Sequence, residues 1–150
     1  MALYPIIFKF TQPVRCDSFS AVVVGEGRAL IELEDGAWWC HGVEPGGLTA
    51  NGESPQDAYR KFRESIGWII GDFASEALSF ERFEDRVKNF MADEDAAELD
   101  RWKGAVEQVR TGLRVEEPFA QMERRSADSE LAVRIELRQV FANEQLALAA

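Results

Sequence analysis

One histidine, two cysteines and two tyrosines among 150 residues leave little material for the commonest site chemistries. His41 has no second imidazole to share a metal with, so no metal site is expected. Cys16 and Cys40 form neither a Cys-x-x-Cys pair nor a disulfide framework. Positive charge is scarce as well: 17 Lys+Arg stand against 27 Asp+Glu, a net charge of −10. Phosphate-backbone binding needs clustered Lys and Arg, so direct nucleic-acid binding is not expected. No apolar run approaches the ~18–20 residues that span a bilayer, which excludes a membrane-spanning helix. The opening stretch, residues 1–10, has no basic n-region and no cleavage site, so it does not read as a signal peptide. A reduced, cytoplasmic setting is the expectation. No repeat, low-complexity tract or Gly/Ser linker divides the chain, and its length suits a single domain, 1–150.

What is present is a strands-then-helices order. Residues 4–10 place Ile6, Phe8 and Phe10 at period two, and Gln12-Pro13 is expected to interrupt this strand. Residues 19–24 form a second, β-branched run, with Gly25-Glu26-Gly27 read as its turn. Residues 28–34 alternate, Asp35-Gly36 offers the φ > 0 positions of a type I′ hairpin, and residues 37–43 return. Ser54-Pro55-Gln56-Asp57 is a helix start, with a hydroxyl cap, a first-turn proline and an acidic residue at the positive dipole end. Tyr59, Phe62, Ile66, Ile69, Phe73 and Ala77 then recur at steps of three and four, predicting a long helix to about Leu78. Gly67 and Gly71 inside it imply close packing or a break.

A second helix follows Ser79, with Phe80, Phe83, Val87 and Phe90 as its face. A third follows Asp95, where Glu98 suggests a capping box; its face is Leu99, Trp102, Val106, Val109 and Leu113, and Gly112 fits its end. Residues 116–129 read as a connection. Leu131, Val133, Ile135 and Leu137 alternate with polar residues as a final strand, and the apolar tail 145–150 is left open. The expected class is α+β: an antiparallel three- to four-stranded sheet against a long helix, then two more helices and a C-terminal strand. Residues 1–78 form the core and 79–150 an extension.

His41 and Trp39 are the candidate binding residues. His41 follows Cys40, and strand neighbours point to opposite faces, so the pair is not expected to act together. A strand histidine bonded to a neighbour is the plain reading. Glu32 and Glu34 lie about 6.7 Å apart along one strand face, which is read as solvated because Ile31 and Leu33 mark the buried side. Asp93-Glu94-Asp95 lacks the spacing of a calcium loop, and Gly42–Gly47 lacks the Lys-Ser/Thr of a phosphate loop. No catalytic residue and no cofactor is assigned. The runs 22–24 and 37–40 are apolar on both faces, so both sheet faces are expected to be covered, by helices on one side and by a second layer or another subunit on the other. A homodimer is expected.

The stretch from Gly36 through Gly47, Gly52, Glu53, Ser54, Asp57 and Ala58 resembles the HicB-like antitoxins, which have a hairpin, a Pro/Gly loop and a capped, acidic helix start. The resemblance covers residues 28–78 best. It implies a partial ribonuclease-H-like fold without catalysis, and a protein partner, in the antitoxin case a basic ribonuclease-like toxin that an acidic surface would suit. Residues 79–150 carry no basic DNA-reading element of the kind family members often have. The alternative reading is a small-molecule-binding protein or small enzyme, with a sheet–helix pocket built from His41, Glu32 or Glu34, and a tryptophan.

Overall fold

The structure, a computed structural model, describes residues 3–110 and 131–141. Its order is β1 (Leu3–Arg15), β2 (Phe19–Glu34), β3 (Ala37–Glu44), β4 (Gly46–Gly52), α1 (Pro55–Glu76), α2 (Phe80–Ala92), α3 (Ala96–Arg110) and β5 (Val133–Val140). The fold is α+β. One antiparallel sheet runs β1-β2-β3-β4, and β5 pairs with β2 alongside. The central strand, β2, holds β1 along one edge; its other edge takes β3 at residues 28–34 and β5 at residues 19–25.

The first two strands are longer than their sequence suggests. Gln12-Pro13 does not end β1, which pairs with β2 through Arg15. Nor is Gly25-Glu26-Gly27 a turn: it lies mid-strand. Gly25 and Gly27 sit opposite Phe10 and Phe8, and a Cβ at Gly25 would stand 2.7 Å from the Phe10 ring. The glycines leave room for two aromatic rings to lie across the strand, a close approach that a side chain would block. Asp35 and Gly36 do form the tight turn, at φ of 52° and 78°. Residues 46–52, to which the sequence assigns no element, form β4 against β3, the fourth strand of the expected three- to four-stranded sheet.

Ser54 caps α1, its hydroxyl accepting from the Asp57 N–H at 3.0 Å. The helix is unbroken across Gly67 and Gly71 and stops at Glu76. Its buried line is Ala58, Phe62, Ile66, Ile70 and Ala74, so Ile70, and not Ile69, faces the sheet. Ser79 caps α2 in the same way, and Phe83, Val87 and Met91 are its buried face. At α3 the capping box is half formed. Asp95 accepts from the Glu98 N–H at 3.1 Å, but its own N–H donates to the Val43 carbonyl, and the Glu98 carboxylate turns to Arg101. Gly112, Leu113, residues 116–129 and the tail 145–150 lie outside the described residues.

Two cores result, one on each face of the sheet. Phe8, Phe19, Ile31 and Cys40 pack under α1 and α2 with Phe62 and Phe83. On the opposite face Ile7, Leu30 and Val43 pack under α3 with Trp102, Ala105 and Val106. Of the two covers expected for this face, a second layer or another subunit, the chain supplies the first with its own α3. In β5, Ile135 is buried, but Leu137 is 44% exposed and Val140 67% exposed, so the apolar alternation does not all reach the core.

Candidate functional site

Strand register gathers the polar residues of the α3 face. Leu30 pairs with His41 and His41 with Thr49, while Glu32 pairs with Trp39 and Trp39 with Asn51. The pleat then turns His41, Trp39, Glu32 and Thr49 to one side and Cys40 to the other. His41 Nε2 lies 2.8 Å from Glu32 Oε1, and His41 Nδ1 lies 2.6 Å from Thr49 Oγ1. A carboxylate can only accept, so Nε2 carries the hydrogen. In the neutral ring Nδ1 then accepts from the Thr49 hydroxyl. Trp39 stacks on the imidazole with ring planes 2° apart.

Glu32 is 6% exposed, which corrects its placement on a solvated face: residue 32 points under α3, as Leu30 does. A buried carboxylate needs partners. Its second oxygen takes the Arg101 guanidinium, which also meets both oxygens of Glu98 at 3.0 Å. One polar chain, Thr49–His41–Glu32–Arg101–Glu98, thus ties β4, β3 and β2 to α3. Glu34 stays exposed beside the turn. Thr49 and Arg101 went unrecognised in the sequence. Thr49 could have been found from the alternation of Leu48 and Ala50 with Thr49 and Asn51; Arg101 carries no such signal.

Beside this chain, Arg28 is buried under the Trp102 ring, 5.3 Å from its centroid, with Nη1 3.5 Å from Glu44 Oε1. Burial pushes the Glu44 carboxyl above the ordinary range; Arg28 opposes this, and the carboxyl of Glu94 adds to it. Cys40 lies in the α1-side core, where burial pushes its thiol far up and away from the reactive thiolate. Trp38 faces that side too, stacked on Tyr4.

Two open grooves lie elsewhere. One, about 620 Å³, runs between α1 and α2 along Phe73, Leu78, Phe83 and Arg86. The other, about 380 Å³, runs between β1 and α1 along Gln12, Tyr59, Arg63 and Gly67. Neither of these two contains His41, Glu32 or Trp39. Among the described residues no group of three or more His, Cys, Asp and Glu is arranged to hold a metal, and no helix is long and apolar enough to cross a membrane.

The strand-to-helix joint is the second notable local arrangement. A Cβ on Gly52 would meet the Ala58 backbone nitrogen at 2.6 Å, so the end of β4 abuts the first turn of α1. The Glu53 N–H donates to Asp57 Oδ2 at 3.3 Å, and Asp57 in turn bonds Arg60, which holds its carboxyl below the usual range. Comparison of the chain with family models, with curated proteins and with solved structures finds no match.

Proposed function

We propose that this chain is a non-catalytic, HicB-like protein that acts through protein–protein binding, in an antitoxin-like or orphan role, as a cytoplasmic homodimer. The observation that carries this reading is the joint at residues 52–58. Gly52, Ser54, Asp57 and Ala58 each have a distinct physical task there: close approach, cap, dipole partner and buried packing. These are residues on which the resemblance rests, now with a local structural reason for their spacing. The polar chain fits the same reading, because both nitrogens of His41 and both oxygens of Glu32 are engaged within the protein.

The net charge of −10 favours a basic partner, steered by long-range attraction. Pull-down of a small basic ribonuclease, with this chain as bait at low and high salt, tests the reading. A complex is expected at low salt, weaker at high salt, with RNA cleavage suppressed while it persists. Absence of a complex at both salt levels overturns the antitoxin-like role.

A second reading, a small enzyme, is favoured by one specific observation. The exposed Thr49 hydroxyl bonds a histidine that a carboxylate orients, the order of groups that activates a nucleophile. Incubation with p-nitrophenyl acetate separates the two. Hydrolysis above background that is lost in both Thr49→Val and His41→Gln overturns the non-catalytic reading. Background rates for all three proteins overturn the enzyme.

A further inference from the structure

We propose that two copies of the chain join edge to edge through β5, extending the sheet across a two-fold axis at Ile135. This rests on the homodimer reading above and adds the surface that makes it. The backbone direction comes first. The Ala132 carbonyl accepts from the Glu26 N–H of β2 at 2.8 Å. Successive strand residues point their N–H and C=O groups to opposite sides, so Val133, Ile135 and Leu137 present theirs outward, away from β2. Among the described residues β5 pairs only with β2, and it contains no proline. The opposite edge, β1, carries Pro5, Pro13 and Lys9, residue types that discourage further pairing.

The side chains of β5 are self-complementary in one register. Val133, Ile135 and Leu137 lie on the α1/α2 side, opposite Gly25, Val23 and Ala21 of β2. The other side carries Arg134, Glu136 and Arg138, with Glu136 between the two arginines at 2.7 and 2.8 Å. Set Ile135 against Ile135 of a second copy, antiparallel. Arg134 of each copy then stands opposite Glu136 of the other, and Leu137 opposite Val133. The half-exposed Leu137 gains an apolar neighbour, and the outward backbone groups of residues 133, 135 and 137 pair with each other. Centring on Glu136 instead sets Glu136 against itself and Arg134 against Arg138, like charges that repel. Centring on Leu137 sets Ile135 against Gln139. The contact is isologous, the same patch on both copies, and it closes as a dimer.

Light scattering on the full chain tests this, with a pair of charge variants. The unaltered chain is expected at twice its 16.9 kDa mass. Glu136→Arg makes the face all-arginine, and Arg134→Glu/Arg138→Glu makes it all-glutamate; each alone is expected at one chain mass with an unchanged circular dichroism spectrum. Mixed, the two are expected to return to twice the chain mass, because arginines again oppose glutamates. Variants that stay dimeric overturn the β5 edge and leave the homodimer standing. Variants that fall to one chain mass but do not recombine overturn the cross-strand pairing. An unaltered chain at one chain mass at every concentration overturns the homodimer itself.

Discussion

Glu44 ends β3 with its carboxyl between opposing influences: burial and Glu94 favour the protonated form, and Arg28 favours the charged one. The net direction is upward, which fixes the sign of a pH effect. A carboxyl whose folded value lies above its unfolded value holds its proton more tightly when folded, so its contribution is present below the unfolded value and is lost as pH rises through the folded one. Glu94 is exposed, and Glu94→Gln removes a like charge beside Glu44 without opening a cavity. The variant's Glu44 then falls back toward the ordinary range, although burial still holds it up. Between about pH 4 and 7, the loss of stability with rising pH should therefore be shallower in Glu94→Gln than in the unaltered chain. Urea unfolding midpoints across that range measure it. Asp57, shifted downward, acts in the opposite sense in both proteins and cancels in the difference.

Within α1 the two glycines have different surroundings, and substitution separates them. A Cβ at Gly67 would come within 2.6 Å of the Gln12 amide oxygen, whereas one at Gly71 meets nothing within 4 Å. Gly71→Ala therefore gains helix propensity with no clash and should stabilise the chain by about 0.5–1 kcal/mol, read as a higher denaturant midpoint. Gly67→Ala first has to displace the Gln12 side chain and should gain less. Local chemistry made α1, α2 and the Asp35-Gly36 hairpin legible in the sequence, because caps, periodic apolar residues and turn dipeptides act within a few residues. Gly25 and Gly27 misled because their reason is tertiary: the rings of Phe10 and Phe8 lie across them from the neighbouring strand. Glu32 misled for a related cause. The alternation of residues 28–34 looks one-sided, yet β2 is covered on both faces, and Arg101 lies 69 residues away. His41 bonded to a neighbour was readable; which neighbours required the register of β4.

At the scale of the molecule, one sheet separates two unequal cores. The α1/α2 side holds many large side chains, from Phe8 and Phe62 to Phe19 and Phe83, while the α3 side is built around Trp102. Trp102 is fully buried, and its Nε1–H donates to the Ile6 carbonyl at 3.1 Å. The polar chain through Glu32 and Arg101 is a further tie between α3 and the sheet, beside the Asp95 N–H to Val43 carbonyl bond and Arg28 under the Trp102 ring, and Arg101 is partly solvated, so the share of its ion pair is small. Such an arrangement is expected to give α3 its own opening equilibrium, below the global one. Amide hydrogen exchange should show α3 protected less than α1 and β2. Trp102→Ala should cost about 3–5 kcal/mol against whichever process exposes this side chain. Because Trp102 belongs to the smaller core, that cost should fall first on α3, whose amides should exchange much faster while those of Phe62 and Ile66 keep most of their protection. Equal loss of protection in α1 and α3 would show that the two faces unfold as one unit.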